Sequence, residues 1–403
     1  MLKAILSIFL VISLISPCPA YSQASSAIAA RPSSRLGIWI TVFSPYKVLH
    51  SKANADSLID ICKKSGISDI FLQVYRGDKA YYDSSITDKT PFETALRSGG
   101  EDLIPYLIRK AGDNGIRVHA WLNMLSISQN QDANILKKIG SQITTKDQYG
   151  RTSFVFKKDK LDNYYIRENQ LFIDPGYPEV RDYLTGIVEE IIRKYPGFAG
   201  IHLDYIRYPS VVPFIPGSRF TSHGISYGYN WPNIKAFRDM TDKDIREVSP
   251  TRAEYMEWDE LRRNNVTSLV KQASDRARAV NPRIEVSCAI VPSIERSYLV
   301  TFQDWTRWLE EDLADFIVIM NYTDDTPLFK MNTQAMRLPS LQEKVMVGVG
   351  AYILKEKPEV LEEQLSFLKD LSPTGIVIFS YDDIAESERL QGFLSGEFSA
   401  GGR

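Results

Sequence analysis

Eight short runs rich in β-branched residues alternate with helix-periodic stretches along most of this 403-residue chain. The runs fall at 36–42, 69–74, 117–122, 198–204, 283–289, 316–320, 344–349 and 375–379. Helices are expected at 53–64, 102–113, 179–194, 252–280, 302–313 and 357–371, with a last one after Asp383. Strands separated by helices pair in parallel, because a crossover of that length carries the chain back to the same end of the sheet. Eight such units predict an α/β fold, a (β/α)8 TIM barrel. The connection 324–343 is expected to hold at best a short helix. No composition shift marks a second domain, so 35–398 reads as one.

Local punctuation agrees with this division. Asp174-Pro175-Gly176-Tyr177-Pro178-Glu179 sets turn residues and an acid ahead of a periodic apolar stretch. Pro282, Pro292 and Pro373 fall between elements rather than inside them. Two connections, 124–173 and 210–251, are too long for turns. They follow the third and fourth strands, which puts both insertions at the C-terminal face of a barrel, where active sites are built. The second carries Tyr227, Tyr229 and Trp231 among glycines. Such aromatics either stack on sugar faces or pack down to hold the loop.

A hydrophobic fraction of 44% is that of a chain with a real core, and a net charge of −2 offers no basic excess for nucleic acid. The N-terminus has its own character. Lys3 precedes an apolar run (4–15), then Ser16, Pro17, Cys18, Pro19 and Ala20. That is the layout of a secretory signal peptide over 1–24, with cleavage expected after Ala20 or Ala24, and it predicts a secreted or periplasmic protein. The run is too short for a stable membrane span. Pro17 before Cys18 matches a lipobox poorly, so lipidation ranks below plain secretion. Cys62 and Cys288 are isolated in apolar stretches and are expected as buried free thiols. Four histidines (His50, His119, His202, His223) without HxxxH or CxxC spacing predict no metal site, and no cofactor is expected.

In a barrel, chemistry collects where strands end. The fourth run ends on a lone acid, Asp204, followed by Tyr205, Arg207, Tyr208 and Pro209. Asp204 is the first candidate for a catalytic carboxylate; its structural alternative is a helix cap or an ion pair with Arg207. His202 shares its face one step deeper, where an interior role competes with substrate contact. The second strand runs on into Tyr75, Arg76, Gly77 and Asp78, the third carries Trp121 and Asn123, and the sixth ends in Asn321 and Tyr322. Glycosidic hydrolysis needs a pair of carboxyls or one acting with a substrate group. Glu295 after the fifth strand and Asp324 after the sixth rank first as partner acids, ahead of Asp325, Asp382 and Asp383, all of which have alternatives as helix caps. No GxSxG, Walker loop or strand-linked GxGxxG competes.

Several blocks resemble the glycosyl-hydrolase-like family 10 of bacterial secreted proteins: LGIWIT from Leu36, DIFLQVYRGDKAYY from Asp69, VHAWLN from Val118, FIDPGYPEVRDY from Phe172 and GIHLDYIRYP from Gly200. The resemblance implies a (β/α)8 barrel acting on a glycan, some members cleaving peptidoglycan strands. It places the family's fourth-strand acid on Asp204, substrate-lining strand ends on Gln73, Arg76, Trp121 and Asn123, and a sixth-strand Asn/Gln-x-Tyr-like end on Asn321 and Tyr322. Many relatives carry two consecutive acids where this chain has Asp204-Tyr205. A looser likeness to chitinase-type barrels at IMNYTDD meets Thr323 where those place an acid. The expected function is therefore a glycoside hydrolase acting on peptidoglycan or another polysaccharide, with a catalytically inactive glycan-binding barrel as the alternative and a partner scaffold last.

Overall fold

The computed structural model describes residues 35–154, 168–210, 225–249, 253–371 and 373–398. The segment expected to be a signal peptide lies outside them, as do 155–167 and 211–224 of the two insertions. Eight strands form the barrel: β1 Arg35–Ile40, β2 Asp69–Arg76, β3 Arg117–Asn123, β4 Gly200–Asp204, β5 Glu285–Ile290, β6 Phe316–Met320, β7 Val345–Gly350 and β8 Gly375–Phe379. Neighbours in sequence pair in parallel, and β1 closes the ring by pairing with both β2 (Gly37 opposite Asp69) and β8 (Gly37 opposite Val377). The (β/α)8 barrel is the fold. A two-residue strand, Lys79–Ala80, folds back antiparallel on the end of β2.

The strands were legible as apolar runs because both their faces are covered. Outward residues such as Ile38, Leu72, Ile201 and Val347 pack under the helices, while inward residues form a second core. Trp39, Phe71, Trp121, Phe316, Val318, Met346 and Val377 fill the barrel's interior. Gly348 makes room for Trp39, since a Cβ there would stand 2.9 Å from both the indole and the Ile319 carbonyl. Cutting Trp39 to alanine would cost about 3–5 kcal/mol. Cys62 and Cys288 are buried free thiols.

The helices follow their signals. Ser51 caps Lys52–Lys64 by accepting from Asn54 N, Asp102 caps Leu103–Gly112, and Pro178 opens Pro178–Lys194. Other helices were not expected: Thr90–Gly99, Asn134–Ile139, Trp231–Thr241 and Ile294–Leu299. The connection after β6 corrects the expectation of a short helix, because Thr326–Met336 runs eleven residues. Asp325 caps it through Leu328 N, and Pro327 sits in its first turn, where a missing N–H costs nothing. Among the described residues no helix is long and apolar enough to cross a membrane.

The N-terminal mouth is closed by charge. Asp69, fully buried, lies 2.7 Å from Arg35 Nη2, 3.0 Å from Arg117 Nη2 and 2.9 Å from His119 Nε2. Glu285 completes the cluster through Arg35 at 3.0 Å and Arg117 at 3.2 Å.

Candidate active site

At the opposite mouth the strand ends surround a pocket of about 700 Å³, a volume typical of small-molecule and sugar sites. Asp204 is the last residue of β4 and lies opposite Asn123 of β3 in register. Its Oδ2 accepts the indole N–H of Trp121 at 3.1 Å, and its Oδ1 accepts the backbone N–H of Tyr205 at 2.7 Å. Tyr205 reaches that position by taking φ 50°, an uncommon conformation for a bulky residue, which turns the chain sharply off the strand. Burial pushes the Asp204 carboxyl above the ordinary aspartate value. The Tyr205 N–H, the Arg207 charge and the Trp121 N–H pull it back only in part, and nearby Glu168 adds to the rise. A carboxyl that holds its proton more tightly than usual, yet has donors on both oxygens, suits general acid work.

The polar wall is built around Arg207 and the ends of β2 and β3. Arg207 is buried, with Nη2 2.9 Å from Glu168 Oε1 and Nη1 donating to the Tyr208 carbonyl at 3.3 Å and Ser210 Oγ at 3.4 Å. Its guanidinium lies 4.8 Å from the centre of the Tyr205 ring. Gln73 accepts from Val42 N at 3.1 Å and donates to Asn123 Oδ1 at 3.1 Å, so two amides lock each other. Arg76 lies over the exposed Phe43 ring at 4.4 Å. The facing wall is aromatic: Tyr322 stands edge-on to Trp39 at 6.2 Å and to Tyr352 at 6.0 Å, beside Phe379. Asn321 lines the pocket, but its amide nitrogen donates to the Phe329 carbonyl at 2.8 Å and Thr333 Oγ1 at 3.0 Å, which anchors the helix after β6.

The structure thus brings Gln73, Arg76, Trp121, Asn123, Asp204, Arg207, Asn321 and Tyr322 to one pocket. It leaves five other sequence candidates off the pocket wall. Glu295 sits exposed in the first turn of Ile294–Leu299, although Ser293 and Arg296 beside it line the cavity. Asp324 points to solvent and pairs with Lys357 at 2.6 Å. Asp78 is turned beneath the site by positive φ at Gly77 and at itself, accepting from Tyr75 and Tyr183 hydroxyls, Thr87 Oγ1 and Ile135 N. Tyr208 is buried and donates to Asp174 Oδ1 at 3.1 Å. His202 lies one layer down among Trp39 and Phe71, bonded to Ser287 Oγ at 2.9 Å. Burial pushes its imidazole down to about 3, so it stays neutral.

The aromatic insertion also packs rather than lines. Tyr227 and Tyr229 are buried, Tyr229 meeting Trp258 and the Tyr255 hydroxyl, while exposed Trp231 opens a helix away from the cavity. Sequence reasoning missed Glu168, a carboxylate on the pocket wall. It lies in the returning limb of the first insertion, where no periodicity marks it. Trp39, Tyr352 and Phe379 were likewise missed as pocket residues; Trp39 and Phe379 are inward positions of recognised strands. Among the described residues no group of three or more His, Cys, Asp and Glu side chains is placed to hold a metal ion.

The family model described as Glycosyl hydrolase-like 10 matches residues 35–363. Glycosyl hydrolase DigH of Escherichia coli K12 is 26% identical over 282 residues, covering 66% of this chain and 56% of the relative. Glycosyl hydrolase YngK of Bacillus subtilis 168 is 24% identical over 293 residues, covering 68% and 50%. The chain spans about half the length of these curated relatives. Among solved structures, the glycoside hydrolase domain of PgaB (BpsB) from Bordetella bronchiseptica matches with a TM-score of 0.65 at 12% identity, covering 92% of this chain and 99% of that one. The catalytic domain of the β-amylase from Paenibacillus polymyxa matches at 0.54 and 11%, covering 89% and 96%. At such identities the likeness is one of fold.

Proposed function

The chain belongs to the Glycosyl hydrolase-like 10 family, and we propose that it hydrolyses the O-glycosidic bonds of a glycan with Asp204 as a catalytic carboxylate. The observation that carries this reading is the state of Asp204: a buried carboxyl with a raised pKa at the end of a barrel strand, facing an open pocket. Proton transfer from Asp204 to the glycosidic oxygen leaves a carboxylate behind. The Trp121 and Tyr205 N–H groups, already in place, stabilise that charge as it develops. Gln73, Asn123 and Arg207 offer fixed donors for sugar hydroxyls, and Tyr322 with Tyr352 offers apolar faces for pyranose rings.

The substrate is a polysaccharide, with peptidoglycan glycan strands first among the choices. The signal-like N-terminus supports a site of action outside the cytoplasm. The second reading, a glycan-binding barrel without catalysis, is favoured by the resemblance, which puts a second acid in many relatives where this chain has Tyr205. Release of new reducing ends from peptidoglycan, with and without stem peptides, and from common polysaccharides separates the two. Cleavage lost in Asp204→Asn supports the enzyme. Binding without new reducing ends over long incubation supports the binder.

A further inference from the structure

We propose that Glu168 is the second carboxylate of the reaction, acting at the anomeric carbon of the bond that Asp204 protonates. The inference rests on the hydrolase reading above, in which Asp204 alone supplies a single carboxyl. Among the described residues lining the pocket, only Asp204 and Glu168 carry carboxylates. Glu295 and Asp324, the partners expected from sequence, do not line it.

The limb that leads on from Glu168 is tied to the start of the insertion. Residues 171–173 pair with 125–128: Leu171 N donates to the Ser128 carbonyl at 2.7 Å, Ile127 N to the Leu171 carbonyl at 2.9 Å, and Ile173 N to the Leu125 carbonyl at 2.9 Å. Gln170 ties the same limb to Ser126 and to the Tyr205 hydroxyl. Glu168 stands three residues before that ladder, on the pocket wall.

Its hydrogen bonding is unlike that of a structural ion pair. Arg207 meets Glu168 through Nη2 and Oε1 alone and turns Nη1 to the Tyr208 carbonyl and Ser210. Glu168 Oε2 is buried, with no hydrogen-bond partner among the described residues. One carboxylate oxygen is thus tied to Arg207 while the other is committed to no described group.

The step balances with Glu168 in this role. As the bond from C1 to the glycosidic oxygen breaks, its electron pair stays on that oxygen, which takes the proton from Asp204. On the other side of C1, the Glu168 carboxylate either forms the new bond itself or removes the proton from the water that forms it. In the first case water then displaces Glu168 and gives its proton to Asp204, so configuration is retained. In the second case configuration inverts in one step.

The test uses the full chain and the glycan that the wild type cleaves in the reducing-end screen. Glu168→Asp keeps the charge beside Arg207 and withdraws the carboxylate by one methylene, so folding is preserved whatever Glu168→Gln does. The expected result is a fall in kcat/KM on the order of 10²-fold or more for Glu168→Asp, with the melting temperature unchanged. Added sodium azide is expected to restore cleavage to Glu168→Ala, releasing a glycosyl azide whose configuration reports which face Glu168 attends. Wild-type kcat/KM in Glu168→Asp, or an inactive Glu168→Ala that azide does not rescue, would overturn the role of Glu168. If Asp204→Asn is inactive in the same assay, the hydrolase reading survives that failure; if the wild type cleaves nothing, the reading itself falls.

Discussion

The two mouths of the barrel each bury an aspartate, and their environments drive the two in opposite directions. At the N-terminal mouth burial works against the Asp69 carboxylate, yet hydrogen bonds from His119 and Arg35 outweigh it and hold the group far below the ordinary 3.8. At the C-terminal mouth burial prevails over the donors around Asp204, and its carboxyl is raised. The difference is compensation. Asp69 has two arginines and a histidine within 3.0 Å. Asp204 has two neutral N–H donors, while Arg207 near it is paired with Glu168. A saturated carboxylate serves stability; an under-compensated one is poised for proton transfer.

The sharpest way to break this comparison is at Asp69. Asp69→Asn strands Arg35 and Arg117 beside a neutral group and is expected to cost about 3–5 kcal/mol in urea unfolding, with turnover per folded molecule unchanged. The pH dependence follows with signs worked out. Asp69 has a depressed folded value, so its stabilisation is present above the unfolded value near 3.8 and is lost as pH falls below it. Asp204 has a raised folded value, so its contribution is present at low pH and is lost as pH rises from the unfolded value through the folded one. Urea midpoints measured across acid pH are therefore expected to drop less steeply in Asp69→Asn than in wild type. An equal slope would separate Asp69 from acid stability.

A smaller effect sharpens the C-terminal side. Trp121→Phe removes the N–H that stabilises ionised Asp204, so the alkaline limb of the pH–rate profile is expected to move to higher pH. Turnover is expected to fall about tenfold, the worth of one hydrogen bond to a developing charge. A limb that stays in place would detach Trp121 from the acid's tuning. Smallest of all is Asp324→Ala. Its partner Lys357 and the carboxylate itself are exposed, so neither melting temperature nor turnover is expected to change. Lost activity in that variant would return Asp324 to the site.

The contrast between strands and loops also explains what the sequence could and could not tell. All eight barrel strands were legible, because a strand covered on both faces is an unbroken apolar run. Strand-end residues followed from that. Once β3 and β4 were placed, the alternation of side chains put Trp121, Asn123 and Asp204 at the C-terminal mouth, whereas Gln73 followed from the family resemblance. Residues two to four steps past a strand end were not settled in this way, since a single positive φ redirects them. Gly77 and Asp78 turn the Asp78 carboxyl under the site, and Tyr205 turns Tyr208 into the packing around Asp174. Glu168 was out of reach for a different reason. Its place depends on the long-range pairing of 171–173 with 125–128 inside an insertion that carries no periodic signal.

The most direct measurement sets Asp204→Asn beside wild type on two axes, turnover per folded molecule on a cleaved glycan and urea midpoint at neutral pH. Loss of turnover by about 10²–10⁴-fold, with a midpoint equal to or above wild type because neighbouring Arg207 keeps its Glu168 partner, is the predicted result. Wild-type turnover in Asp204→Asn, or a midpoint that falls as it does in Asp69→Asn, would contradict the assignment of Asp204 to chemistry.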